Sequence, residues 1–139
     1  MASGAGRAPN LFRRPGFEAF VLALPATTLV RQWGDASVAK VGGRIYAILA
    51  GGVGGEPAGL SFKCSDLAFE MLPEVDGVRP APYLARAKWV AVGEGAALSG
   101  REIAAYVTEA HRLIALRLPR RLRAELGLDG LTAVPRERP

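Results

Sequence analysis

The sequence has one histidine, one cysteine and three lysines. Each scarcity excludes something. A lone Cys64 forbids an intrachain disulfide, and a reducing, cytoplasmic compartment is the simplest setting for such a chain. With His111 as the single imidazole, the common His/Cys metal sites have too few ligands, and no metal or other cofactor is expected. No uncharged stretch reaches the roughly 18 residues of a membrane span. Arg13-Arg14 precede the apolar stretch 17–24, but Glu18 interrupts it and no small-x-small cleavage site follows, so it reads as a helix, not a signal.

What is present is an ordinary globular composition. The chain has 139 residues, 50% hydrophobic and 22% charged, enough for one domain. Eighteen basic residues oppose thirteen acidic ones, leaving a net charge of +5. Three of the eighteen are Lys (Lys40, Lys63, Lys88), so fifteen are Arg. With many Ala and Gly, this resembles a GC-rich coding bias, and the charge fits a weak polyanion binder and a basic adaptor about equally.

Residues 1–14 lack periodicity and read as a disordered lead-in; 128–139 carry Pro135 and Pro139 and read as a flexible tail. The domain is therefore expected over 15–127. Pro15 suits a first helical turn, and Phe17, Phe20, Val21 and Leu24 form one stripe ended by Pro25. The stretch 27–33 is β-prone up to Gly34-Asp35. Runs 38–41 and 44–49 flank Gly42-Gly43, a two-residue hairpin signal. Gly51 to Gly59 read as a connecting loop, without the Gly-Lys-Ser/Thr ending of a phosphate loop. Leu60, Phe62 and Cys64 alternate as a strand, Ser65 caps a helix ended by Pro73, and 77–83 is extended. A last strand spans about 88–92. Ser99 and Glu102 make a capping box for a long helix, with a short turn ending at Gly127. The order, roughly α-β(3)-α-β(1-2)-α, implies an α+β fold of two layers, an antiparallel sheet with helices on one face.

Catalysis has little to stand on. Cys64 alternates into the core, His111 lies near the edge of an apolar stripe, and Asp66, Glu70, Glu74 and Asp76 read as a solvated face. The chain is read as a non-enzyme. If the valine and phenylalanine faces of the strands meet the helices, Arg44, Tyr46, Lys63 and Trp89 share the other side. Cations beside stacking rings are how sheet-based modules hold nucleic acid. Trp89 alternatively belongs to the core. A second basic run, Arg112, Arg117, Arg120, Arg121 and Arg123, suits either phosphate or the helix C-terminal dipole.

Leu24-Pro25, Trp33-Gly34-Asp35, Lys40-Val41-Gly42-Gly43-Arg44-Ile45-Tyr46-Ala47, Leu60 to Cys64, Gly77-Val78-Arg79-Pro80, Tyr83 to Trp89 and the helix into Leu118-Pro119 together resemble the MmcQ/YjbR family, over about residues 17–124. The resemblance implies a small α+β fold of the double-wing or secretion-chaperone-like kind. Members are commonly labelled DNA-binding, by analogy of fold. It matches Lys40, Arg44, Lys63, Tyr83, Arg86 and Trp89 to family positions. Ala85 and Lys88 stand where the family often has Asn and His, so a role needing that His is lost and a phosphate contact survives. The expected site is Lys40, Arg44, Tyr46, Lys63, Arg86, Lys88 and Trp89, the expected partner DNA. The alternative is a protein partner, or self-association, through the open sheet face or a helix stripe.

Overall fold

The computed structural model describes residues 10–51, 58–82 and 84–131. The lead-in before Asn10, most of the Gly51–Gly59 loop, Tyr83 and the tail after Leu131 lie outside these residues. Helix α1 (Arg14–Leu22) leads into strands β1 (Thr27–Gln32), β2 (Ala36–Val41), β3 (Arg44–Gly51) and β4 (Ala58–Lys63). Helix α2 (Asp66–Met71) precedes β5 (Val78–Pro80) and β6 (Trp89–Gly93), and α3 (Gly100–Ala115) and α4 (Arg120–Glu125) close the chain. Four strands, not three, precede α2.

All pairings are antiparallel and the sheet order is β1-β2-β3-β4-β6-β5. The hairpin between β2 and β3 is the expected one. Val41 pairs with Arg44 around Gly42 (φ +60°) and Gly43 (φ +83°), the positive angles such turns need. The caps are also as expected. Ser65 Oγ accepts from Ala68 N–H, and Ser99 and Glu102 bond reciprocally. These satisfy N–H groups that the first helical turn cannot pair internally.

Helices α1 and α3 lie on one face of the sheet, because the Tyr46 ring reaches both: its hydroxyl meets the carbonyl of Val21, and its ring meets His111 edge-on at 5.2 Å. One core joins Phe17 and Val21 of α1 to Val41, Ala47, Leu60, Phe62, Val90 and Val92 of the sheet and Ile103, Val107 and Ala110 of α3. Register places Val30, Val38, Ile48, Ser61, Ala91 and Arg79 in one row across the other face.

Two boundaries differ from the sequence reading. Leu11 and Leu128, assigned to the disordered lead-in and the flexible tail, are both buried in the core. Leu11 has only Phe12 beside it, and Leu128 stands between Gly127 and Asp129-Gly130, so neither segment carries enough apolar spacing for a periodicity to register.

Candidate functional site

The expected basic and aromatic platform does not form on the open face. Tyr46 is fully buried against α1 and α3. The cause is a bulge: Ala39 pairs with Ala47 but Lys40 pairs with Ile45, so Tyr46 is the extra residue on β3. Strict alternation fails there, and Tyr46 joins Ala47 on the helix side. Its hydroxyl lies 2.8 Å from Thr27 Oγ1, and burial pushes its pKa up to about 12.

Trp89 and Lys63 do sit side by side on adjacent strands, in register. Both are only 5% exposed. The chain between β5 and β6 closes on itself beside them: Leu84 N–H bonds Ala81 O, and Trp89 N–H bonds Leu84 O. Lys63 Nζ donates to Ala87 O at 2.6 Å. Trp89 is therefore inside, and no ring of the expected site offers an open face for stacking.

The cations fare differently. Arg44 and Arg86 are exposed, and Lys40 and Lys88 half-exposed. Lys88 has a left-handed backbone (φ +65°), a strained state for a non-glycine residue. That geometry lets its carbonyl accept from Cys64 N–H at 2.9 Å, while its ammonium lies 5.1 Å over the Phe69 ring. Burial, and then the nearby positive charges of Arg117 and Lys88, hold the Lys63 ammonium below the usual lysine range. Asp66 and the Cys64 thiol oppose this shift.

Arg117 is the residue that sequence reasoning left out of the site. It belonged to the separate run at the end of α3. The hairpin brings it in: Gly42 packs on Leu118, with Leu118 Cδ1 only 2.5 Å from where a Cβ would stand. The end of α3 and the exposed start of α4, Arg120 and Arg121, thus meet the hairpin end of the sheet. A glycine contact over 76 positions carries no sequence signal.

Among the described residues, the ion pairs lie elsewhere: Arg13–Glu94, Arg14–Asp35, Arg31 with Glu18 and Asp35, and Arg112–Glu109. Lys40, Arg44, Lys63, Arg86, Lys88, Arg117, Arg120 and Arg121 pair with no carboxylate among those residues. Of these, Arg117 and Lys88 lie near enough to Lys63 to act on its charge, which makes this end of the sheet locally positive.

The groups with catalytic potential are structural. Cys64 is buried, and its thiol is pushed up to about 11 by burial, which leaves it protonated and inert. His111 is 2% exposed, and its Nε2–H donates to Pro25 O at 2.7 Å, since a carbonyl only accepts. Burial lowers its pKa, against a smaller opposing effect of that bond. Protonation therefore favours the unfolded chain, where the ring titrates near pH ~6.5. Its contribution to stability is complete above that value and declines as pH falls below it. Below about pH 6.5 the slope of this decline is bounded by the one-proton limit of ~1.4 kcal/mol per pH unit. Urea midpoints at several pH values check this, and His111→Gln is expected to flatten the slope. His111 is the only histidine in the chain, so no other imidazole confuses the reading.

Among the described residues, no group of three His, Cys, Asp or Glu side chains is placed to hold a metal ion, and no helix is long and apolar enough to cross a membrane.

Comparisons with known proteins agree on the fold. A Deinococcus radiodurans protein with a DUF419 domain superposes with TM-score 0.69 at 22% identity, covering 85% of this chain and 93% of its own. A Pseudomonas syringae protein superposes with TM-score 0.60 at 19% identity, over 73% of this chain and 97% of its own. At such identities they speak for architecture alone. No curated protein matches the chain. The YjbR family model matches residues 22–113, from the end of α1 through most of α3 and including the Gly42-Gly43 hairpin, Lys63 and Trp89. Matched over well more than half its length, the chain belongs to the YjbR family.

Proposed function

We propose that this protein is a non-enzymatic module that binds nucleic acid through backbone phosphates, at the hairpin end of its sheet. The observation that carries this reading is the gathering of Lys63, Lys88 and Arg117, with Arg44 at the hairpin turn, where no carboxylate among the described residues pairs with them. Arginine forks suit phosphate oxygens two at a time. With Tyr46 and Trp89 buried, ring stacking drops out, so contacts are to phosphate rather than to bases. Arg44, Lys40, Arg86, Lys88 and Arg117 supply the charge. Lys63 acts from behind, adding field more than contact.

Fluorescence anisotropy with labelled duplex and single-stranded DNA tests this. Micromolar binding is expected at low salt, weakening steeply as salt rises because neutralised phosphates release counterions. Arg44→Ala/Arg117→Ala is expected to reduce the salt slope by about 2 and weaken all sequences alike. No binding at low salt, or a flat salt response, overturns the reading.

A further inference from the structure

We propose that β1 is the seam of a weak homodimer, in which the sheets of two copies join edge to edge. The two margins of the sheet are built differently. At one, β5 has three residues, ends in Pro80 and exposes Arg79, the devices that block strand addition. At the other, β1 has six residues, no proline and an unbroken register against β2. Its single charge, Arg31, is already held by Glu18 and Asp35. Among the described residues no strand pairs with its outer edge.

Three of the five large apolar side chains exposed among the described residues lie at this margin, the other two, Leu67 and Met71, being on α2. Leu22 (54%) stands just ahead of β1, Val30 (36%) on it, and Trp33 (65%) just after it. Trp33 has φ +51°, a left-handed backbone that glycine or asparagine adopts far more readily. The turn thus holds a bulky ring in solvent at the expense of local conformation. Such a departure points to binding rather than to folding.

A second copy fits this margin better than other occupants. Arg14 and Arg31 are matched there by Glu18 and Asp35, so it is neutral on a chain of net charge +5. Two copies can meet there without repulsion, and a polyanion finds nothing to hold. Antiparallel pairing about a two-fold axis through the Leu29–Leu29 pair keeps the faces of the two sheets aligned and sets Arg31 opposite Thr27 of the second copy, so no like charges face each other. The Trp33 turn of each copy then extends past Thr27 of the other, toward its exposed Leu22. A Trp ring buries roughly 150–250 Å². Two of them, with Leu22, Val30 and the backbone ladder, bring the total to roughly 1,000 Å², the lower limit for a specific interface. The association is therefore expected to be micromolar or weaker.

Sedimentation equilibrium of the full chain, from low micromolar to near-millimolar concentration, tests the seam. A monomer–dimer equilibrium is expected that high salt does not weaken, unlike DNA binding. Trp33→Asn is expected to weaken it at least about tenfold while the melting temperature of the monomer stays equal or rises, because asparagine suits the left-handed turn. Val30→Lys, which places like charges close to the axis, is expected to abolish it. A monomer at every concentration overturns the proposal, and so does a dimer that both variants leave intact. A fall in melting temperature on Trp33→Asn with the dimer unchanged would show that the ring serves folding instead.

Discussion

Gly42→Val is expected to destabilise the protein by about 3 kcal/mol, the sum of a left-handed backbone penalty of ~1–2 kcal/mol and an overpacking penalty of ~1–3 kcal/mol. Gly42 has φ +60°, which a β-branched residue resists strongly. Any Cβ there would also stand 2.5 Å from Leu118 Cδ1 and 2.8 Å from Cδ2, and Leu118 is 3% exposed. The neighbouring Gly43 provides the control. It has φ +83° but nothing within 4 Å of where a Cβ would stand, so Gly43→Val meets the backbone penalty alone. Urea unfolding of both variants measures the difference. Equal midpoints would mean that the hairpin does not rest on Leu118. Because Leu118 follows Arg117, the same contact holds the end of α3 against the basic cluster. Gly42→Val is therefore also expected to loosen DNA binding beyond what lost stability explains.

That contact marks the line between what was legible in the sequence and what was not. Features set by neighbours along the chain were readable. Gly42-Gly43 demanded a tight turn, Ser99 and Glu102 a capping box, and the spacing from Ile103 to Ile114 a one-sided helix. Features set by distant residues were not. The bulge that turns Tyr46 inward arises from the pairing of two strands, and either strand alone looks regular. The burial of Trp89 and Lys63 depends on how 81–88 closes, although Pro80 and Pro82 pointed only to an extended segment. Leu11 and Leu128 enter the core from segments without periodicity. The candidate site shows both sides of this. Its cations were found as residue types, but the grouping of Arg117 with Lys63 and Lys88 needed the fold. Trp33 read as the end of a strand because its side chain is β-prone; the turn places it in solvent instead.

Tyr46→Ala is the most consequential single change for separating the two pictures of this surface. A Tyr on an open sheet face would lose at most about 0.5 kcal/mol on truncation, as surface positions do. The buried Tyr46 packs on His111 and reaches Val21 O and Thr27, so Tyr46→Ala is expected to lose about 3–5 kcal/mol, the range for removing a core aromatic ring. Tyr46→Phe keeps the ring and removes only the hydroxyl that lies 2.8 Å from Thr27 Oγ1, so about 1 kcal/mol is expected. Thr27 sits half-buried at the start of β1, where water can take over its bond, which keeps this figure small. The functional consequence runs the other way. If phosphates are held by Arg44, Arg117 and their neighbours, Tyr46→Phe leaves DNA affinity and its salt slope unchanged. Urea unfolding and anisotropy on the same two variants read both quantities. A large stability loss with unchanged affinity places Tyr46 in the scaffold. A stable Tyr46→Ala with weakened binding would return the ring to the surface and restore stacking to the binding mode.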